Sequence, residues 1–172
     1  MLHLELKDTE WPFDGFTHTR NVARGIILLP DGKIAIHSLN RDDAFGKTIY
    51  LETPGGGVDE GETFEQAVIR EVEEETGYRV KILSPIGEVI DAYNLIQRKN
   101  IQHYFLCQAT EYVGKHFESK GDLVIQETKH LTIDEAIEAY QNMSDHGVVG
   151  LVKHRELPIL LEAKKMMKDL GL

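Results

Sequence analysis

Glu71, Glu74 and Glu75 are the residues of this chain whose types and spacing best suit chemistry. At about 100° per residue they fall within one arc of roughly a third of a helix's circumference. Phe64, Ala67 and Val68, each seven residues earlier, occupy the same arc. An apolar stripe that faces inward is therefore continued by three carboxylates, whereas a merely solvated face would lie opposite the apolar one. Like charges at i,i+3 and i,i+4 cost about a few tenths of a kcal/mol per pair, and acids near a helix C-terminus oppose the macrodipole. A divalent cation would relieve both. Hard cations such as Mg²⁺, and Mn²⁺ with it, prefer oxygen ligands and are shared between carboxylates and substrate phosphates. Three converging glutamates with no His or Cys among them suit such an ion. An ordinary acidic surface helix is the other reading that the spacing allows.

The elements that must position these residues follow from caps and turns. Thr63 with Gln66 three residues on is a capping-box signature, and Gly77 is a natural C′ residue, so a helix is predicted at about 64–76. Eight carboxylates lie between Asp59 and Glu75 against one base, Arg70, so this window carries −7 of the chain's net −10. Arg70 can pair with Glu62, Glu73 or Glu74, either holding an acidic set in place or making an ordinary surface pair. Upstream, a short strand at Thr48–Glu52 runs into Pro54 and Gly55–Gly57, where glycines allow close backbone approach to a ligand.

Gly56, then five residues, Glu62, seven residues, then Arg70-Glu71-Val72-Glu73-Glu74-Glu75-Thr76-Gly77-Tyr78 resembles the signature box of the Nudix hydrolases. The departure is Tyr78, where the family usually has an aliphatic residue. The resemblance implies an α/β fold, a Nudix-type α/β/α sandwich with a mixed β-sheet, as a single domain over residues 1–172. It implies Mg²⁺-dependent hydrolysis of a phosphoanhydride, with Glu71, Glu74 and Glu75 as metal ligands helped by the Gly56 carbonyl. Arg70 and Glu62 would orient that set. Glu127, in a later strand candidate, stands where similar proteins often place another acid near the metals; a solvent-facing strand residue is the alternative. In similar proteins a residue fifteen to eighteen positions past the box tracks substrate, proline with ADP-ribose and tyrosine with dinucleoside polyphosphates. Here Tyr93 lies fifteen past Tyr78 and Pro85 only seven.

The rest of the chain reads as one domain of ordinary globular composition, 172 residues with 41% apolar and 28% charged. Strands are expected at 2–6, Asn21–Leu29, Lys33–His37, Arg79–Leu83, Gly87–Ala92, Ile101–Tyr112 and Leu123–Leu131. Leu39–Lys47, residues 93–100 and Lys115–Asp122 read as polar loops. Thr132 with Glu135 caps a helix at about 133–142, and Glu156-Leu157-Pro158 opens a last helix. Trp11, Phe13 and Phe16 could stack on a base or pin the N-terminal segment to the core. Arg41, Lys47, Arg98 and Lys99 are loop bases that could meet phosphates.

No apolar run approaches a membrane span, and the N-terminus lacks the regions of a signal peptide. The single cysteine, Cys107, fits a packed thiol in a reducing, cytoplasmic setting. A net charge of −10 disfavours a long nucleic acid; the expected partner is a small nucleotide, and a homodimer is compatible with the composition. The first-choice substrate is a nucleoside triphosphate, including one with an oxidised base, cleaved to monophosphate and pyrophosphate. A dinucleoside polyphosphate, a nucleotide-sugar, a non-catalytic nucleotide sensor and an acidic interaction protein are the alternatives.

Overall fold

A computed structural model describes residues 1–117 and 122–172. Eight strands form one mixed sheet: β1 (Leu2–Glu5), β2 (His18–Leu28), β3 (Ile34–Asp43), β4 (Gly46–Glu52), β5 (Gly55–Gly57), β6 (Tyr78–Tyr93), β7 (Arg98–Tyr112) and β8 (Ile125–Leu131). Their order is β1-β6-β7-β2-β3-β4, with β5 on β2 and β8 on β3. The β1–β6 and β2–β7 pairings are parallel and the rest antiparallel. Helix α1 (Phe64–Thr76) covers one face; α2 (Ile133–Gln141) and α3 (Gly147–Asp169) cover the other. This is the expected α/β/α sandwich, and no helix among the described residues is long and apolar enough to cross a membrane.

Helix α1 forms where its caps predict. Thr63 Oγ1 accepts from the Gln66 N–H at 3.1 Å, while Gln66 Oε1 accepts from the Thr63 N–H at 2.9 Å. Gly77, at φ 79°, ends the helix in the left-handed conformation and donates its N–H to Glu73 O. Ala67, Val68 and Val72 pack against Ala23, Ile27, Phe105 and Cys107 of β2 and β7, which fixes the face that α1 turns inward.

Four sequence expectations change. Leu39–Lys47 is not a loop but the ends of β3 and β4, paired from His37↔Glu52 to Asp43↔Gly46. Residues 79–92 form one strand whose irregularities, at Ile82/Ser84 and Pro85/Gly87, absorb the proline as bulges. The expected 93–100 connection is a short 3-10 turn at Asn94–Ile96, with β7 already under way at Arg98. The last helix begins at Gly147, not at Glu156, and carries Pro158 in its interior. A proline there costs about 3 kcal/mol, but Val148, Val152, Ile159, Leu160, Ala163 and Met167 are all buried along α3, and that packing decides. The Lys115–Asp122 loop lies in part outside the described residues.

Trp11 pins the N-terminal arm edge-on to Phe45 at 5.3 Å, while Phe13 and Phe16 are exposed against each other. Cys107 is a core thiol with no exposed surface, and burial pushes it up to about 12. It is expected to resist iodoacetamide at pH 8 in the folded protein and to react freely in denaturant; equal rates would place it in a mobile region. Its folded pKa lies above its ordinary 9.0, so its contribution to stability is intact below that value and lost as pH climbs towards about 12.

Candidate active site

Glu71, Glu74 and Glu75 are 8%, 4% and 5% exposed, so the acidic arc of α1 does continue the buried stripe. Arg70 organises its outer edge. Its Nε and Nη2 donate to the two oxygens of Glu62 at 2.8 Å each, a fork on a fork. Its Nη1 donates to Glu71 Oε1 at 2.8 Å and lies 3.6 Å from Glu74 Oε1, and Nη2 also reaches Gly57 O at 3.0 Å. Glu62 in turn accepts from the Asp59 N–H. One guanidinium thus ties the helix to the glycine strand β5. Glu73, the remaining candidate partner, pairs with Arg79 instead.

The inner edge is held from the sheet. Glu75 Oε2 accepts from the Gly55 N–H at 2.9 Å and lies 3.0 Å from His37 Nε2, whose other nitrogen meets Thr128 Oγ1. A Cβ on Gly55 would lie 2.2 Å from Ala23 O, so only glycine lets the strand come this close. One oxygen each of Glu71, Glu75 and Asp122 lies within 4.8 Å of the other two, all three residues being buried. A Cβ on Gly56 would sit 2.5 Å from the Glu71 carboxyl carbon and push it out of the cluster.

Three buried carboxylates that near one another fit a hard divalent cation, and the electrostatics agree. Burial pushes Glu71 up to about 7; Arg70 opposes the rise while Glu75 and Glu74 add to it. Arg70 is held more firmly in its charged form, its pKa raised first by the bonds to Glu62, so its guanidinium is shared and burial prevails at Glu71. A cation among these oxygens would favour their ionised forms.

Of the residues singled out by sequence, the structure brings Gly56, Glu62, Arg70, Glu71 and Glu75 together. Glu74 lines an adjoining hollow with Gln66, Ile69, Arg70, Glu73 and His116, and its Oε1 lies 3.6 Å from the same Arg70 Nη1 that donates to Glu71. Glu127 is exposed on β8 opposite Ser38, outside the Glu71–Glu75–Asp122 group and outside the cavity that it lines. Asp122, His37 and Arg20 were missed. Asp122 opens a 3-10 turn with no motif around it, and His37 and Arg20 reach the site only through sheet pairing.

A cavity of about 270 Å³ opens over the carboxylates and is lined also by Gly55–Gly57, Arg20, Arg24 and Arg41. The Arg20 side chain makes no ion pair or hydrogen bond among the described residues, and a Cβ on Gly57 would lie 3.5 Å from its guanidinium. Arg24 is committed elsewhere: it donates to Gln102, Thr53 O and Glu52. Beneath it, Glu156 of α3 is fully buried and accepts from the Thr53 N–H and hydroxyl and from Tyr104 and Tyr140. Arg155 bridges Glu52, Asp91 and Tyr93. This buried ionic lattice fixes Thr53, two residues before the Gly55 N–H that holds Glu75.

The NUDIX domain family profile matches residues 19–149. The chain is 35% identical over 100 residues to the 8-oxo-dGTP diphosphatase of Haemophilus influenzae (strain ATCC 51907 / DSM 11121 / KW20 / Rd), covering 58% of this chain and 69% of that one. It is 26% identical over 173 residues to the ADP-ribose pyrophosphatase of Bacillus subtilis (strain 168), covering 96% and 90%. The structure of the MutT protein from Methanosarcina mazei Go1 superposes with a TM-score of 0.61 at 17% identity, over 91% of this chain and 99% of that one, a likeness of fold. The chain belongs to the Nudix hydrolase family and is a Nudix pyrophosphohydrolase.

Proposed function

We propose that this enzyme hydrolyses a nucleoside triphosphate, including one with an oxidised base, to the monophosphate and pyrophosphate. The observation that carries this reading is the junction of two unlike groups in one cavity: the Glu71–Glu75–Asp122 carboxylates and, beside Gly57, the unpaired guanidinium of Arg20. Glu71, Glu75 and Asp122, with the Gly56 carbonyl, would hold Mg²⁺ or Mn²⁺; Glu74, buried against Arg70, would steady that set or serve a second ion. The ion supplies a Lewis acid and a more acidic water. Arg70 and Glu62 fix the helix side of the carboxylates, and His37 and the Gly55 N–H fix Glu75. Arg20 would orient the polyphosphate, and one of the carboxylates would take the proton from the attacking water.

The relative's name, 8-oxo-dGTP diphosphatase, supports a triphosphate with an oxidised base. A second reading, cleavage of a nucleotide-sugar, is favoured by the near full-length match to a protein named ADP-ribose pyrophosphatase. Incubation with Mg²⁺ of nucleoside triphosphates, dinucleoside polyphosphates and nucleotide-sugars, with products separated, tests both. Monophosphate and pyrophosphate from a triphosphate support the first; a nucleoside monophosphate and a sugar phosphate from a nucleotide-sugar, with triphosphates left intact, would replace it with the second.

Arg20→Ala is expected to raise KM for the triphosphate about tenfold with a smaller change in kcat, the scale of losing one charge-assisted hydrogen bond. An unchanged KM would remove Arg20 from the substrate's path.

A further inference from the structure

His37 holds Glu75 from the sheet, and the ring is itself held from further out. It lies on β3 directly opposite Thr128 of β8 and is 2% exposed. Its Nδ1 meets the Thr128 hydroxyl at 3.0 Å, while its Nε2 meets Glu75 Oε2 at 3.0 Å. Lys115, in the arm that follows β7, brings its Nζ to 3.2 Å from the same Thr128 oxygen. That arm is pinned to the end of α1: the Val113 and Gly114 N–H groups donate to Gly77 O, and the His116 N–H donates to Glu74 O. Lys115, Thr128, His37 and Glu75 thus stand in one row, from an exposed lysine to the buried carboxylates.

The direction of each hydrogen in the row follows from its two ends. An ammonium only donates and an ionised carboxylate only accepts. Thr128 Oγ1 accepts from Lys115, which leaves its single hydrogen for His37 Nδ1. The bond that a histidine makes at one nitrogen settles the tautomer at the other, so Nε2 carries the ring hydrogen and donates to Glu75 Oε2. The Gly55 N–H donates to that same oxygen, and among the described residues Glu75 Oε1 accepts no hydrogen bond. The donors converge on one oxygen of the carboxylate and leave the other to an ion.

We propose that Thr128 and Lys115 are positioning residues of the carboxylate site: they hold His37 as the Nε2–H tautomer, and His37 in turn keeps Glu75 presented to the ion through one oxygen. The proposal rests on the metal reading of the Glu71–Glu75–Asp122 group, and it adds a chain of residues outside that group. All three act through Glu75, and none is a catalytic residue. Hydrogen-bonded partners of metal ligands typically set metal affinity by about 10–100-fold, which is the size of effect that this chain should show.

Two measurements on the full chain test it. In EDTA, NMR of the imidazole nitrogens, assigned with His37→Gln, is expected to show His37 with Nε2 protonated and Nδ1 bare near neutral pH. Thr128→Val, which keeps the shape and removes the hydroxyl, is expected to move the Nδ1 resonance, and Lys115→Met to move it in the same sense by less. A proton on Nδ1, or an Nδ1 resonance indifferent to both variants, overturns the assignment. Mn²⁺ binding without substrate, followed by EPR, reads the consequence. His37→Phe is expected to weaken it about tenfold or more, while His37→Gln, whose amide nitrogen can stand where Nε2 stands, stays within about threefold and Thr128→Val falls between. If His37→Phe and Thr128→Val both keep the wild-type affinity, this inference alone fails; a wild type that binds no Mn²⁺ removes the metal site and this inference together. Should His37→Phe fail to fold, the wild-type spectrum and Thr128→Val decide.

Discussion

Glu75→Gln is expected to lower turnover with Mg²⁺ about a hundredfold or more, on the scale of losing a charged ligand in metal-assisted hydrolysis. Its carboxylate is held by the Gly55 N–H and by His37, so the variant loses charge without losing shape. Glu71→Gln and Asp122→Asn are expected to fall in the same range, because their oxygens complete the cluster. Glu127→Gln, exposed on β8, is expected to keep wild-type rates. Millimolar Mg²⁺ or Mn²⁺ should raise the melting temperature of the wild type, since the ion binds only the folded arrangement, and the rise should shrink in Glu75→Gln. Wild-type kcat in that variant, or a thermal transition indifferent to metal, would remove the carboxylate group from the mechanism.

Glu156→Ala is expected to lower unfolding free energy by about 3–5 kcal/mol, the loss seen when one partner of a buried ionic group is removed. It would leave the Thr53 N–H, two tyrosine hydroxyls and part of the Arg155 charge without an acceptor in the interior. The same bonds tether Thr53, so activity is expected to fall below what the folded fraction accounts for, while Glu156→Gln, which keeps one acceptor oxygen, should lie between. Urea denaturation read alongside kcat checks both. A stability loss under about 1 kcal/mol would mean that apolar packing alone holds α3 to the sheet.

Neither Arg155 nor Glu156 could be recognised from sequence. An adjacent Arg-Glu pair ahead of a proline looks like a helix start, and that is how the last helix came to be placed nine residues late. The hairpin of β3 and β4 was hidden for a related reason. Asn40, Arg41, Asp42 and Asp43 are polar because they lie at a sheet edge and over a cavity, and polarity alone reads as loop. By contrast α1 was legible to the residue at both ends, since a capping box and a C-terminal glycine act within a few residues of chain.

The same division runs through the site. Local spacing determined that Glu71, Glu74 and Glu75 share one buried side of a helix, that Arg70 can reach Glu62, and that a glycine turn precedes them. These are helical geometry and backbone freedom, and the signature box rests on them. The tertiary structure alone decided which other groups join them: pairing of β3 with β8 and of β2 with β7 brings His37, Asp122 and Arg20 from distant parts of the chain, and leaves Glu127 exposed on β8. Distances across a sheet depend on register and on the layers packed against it, and no short stretch of sequence carries that information.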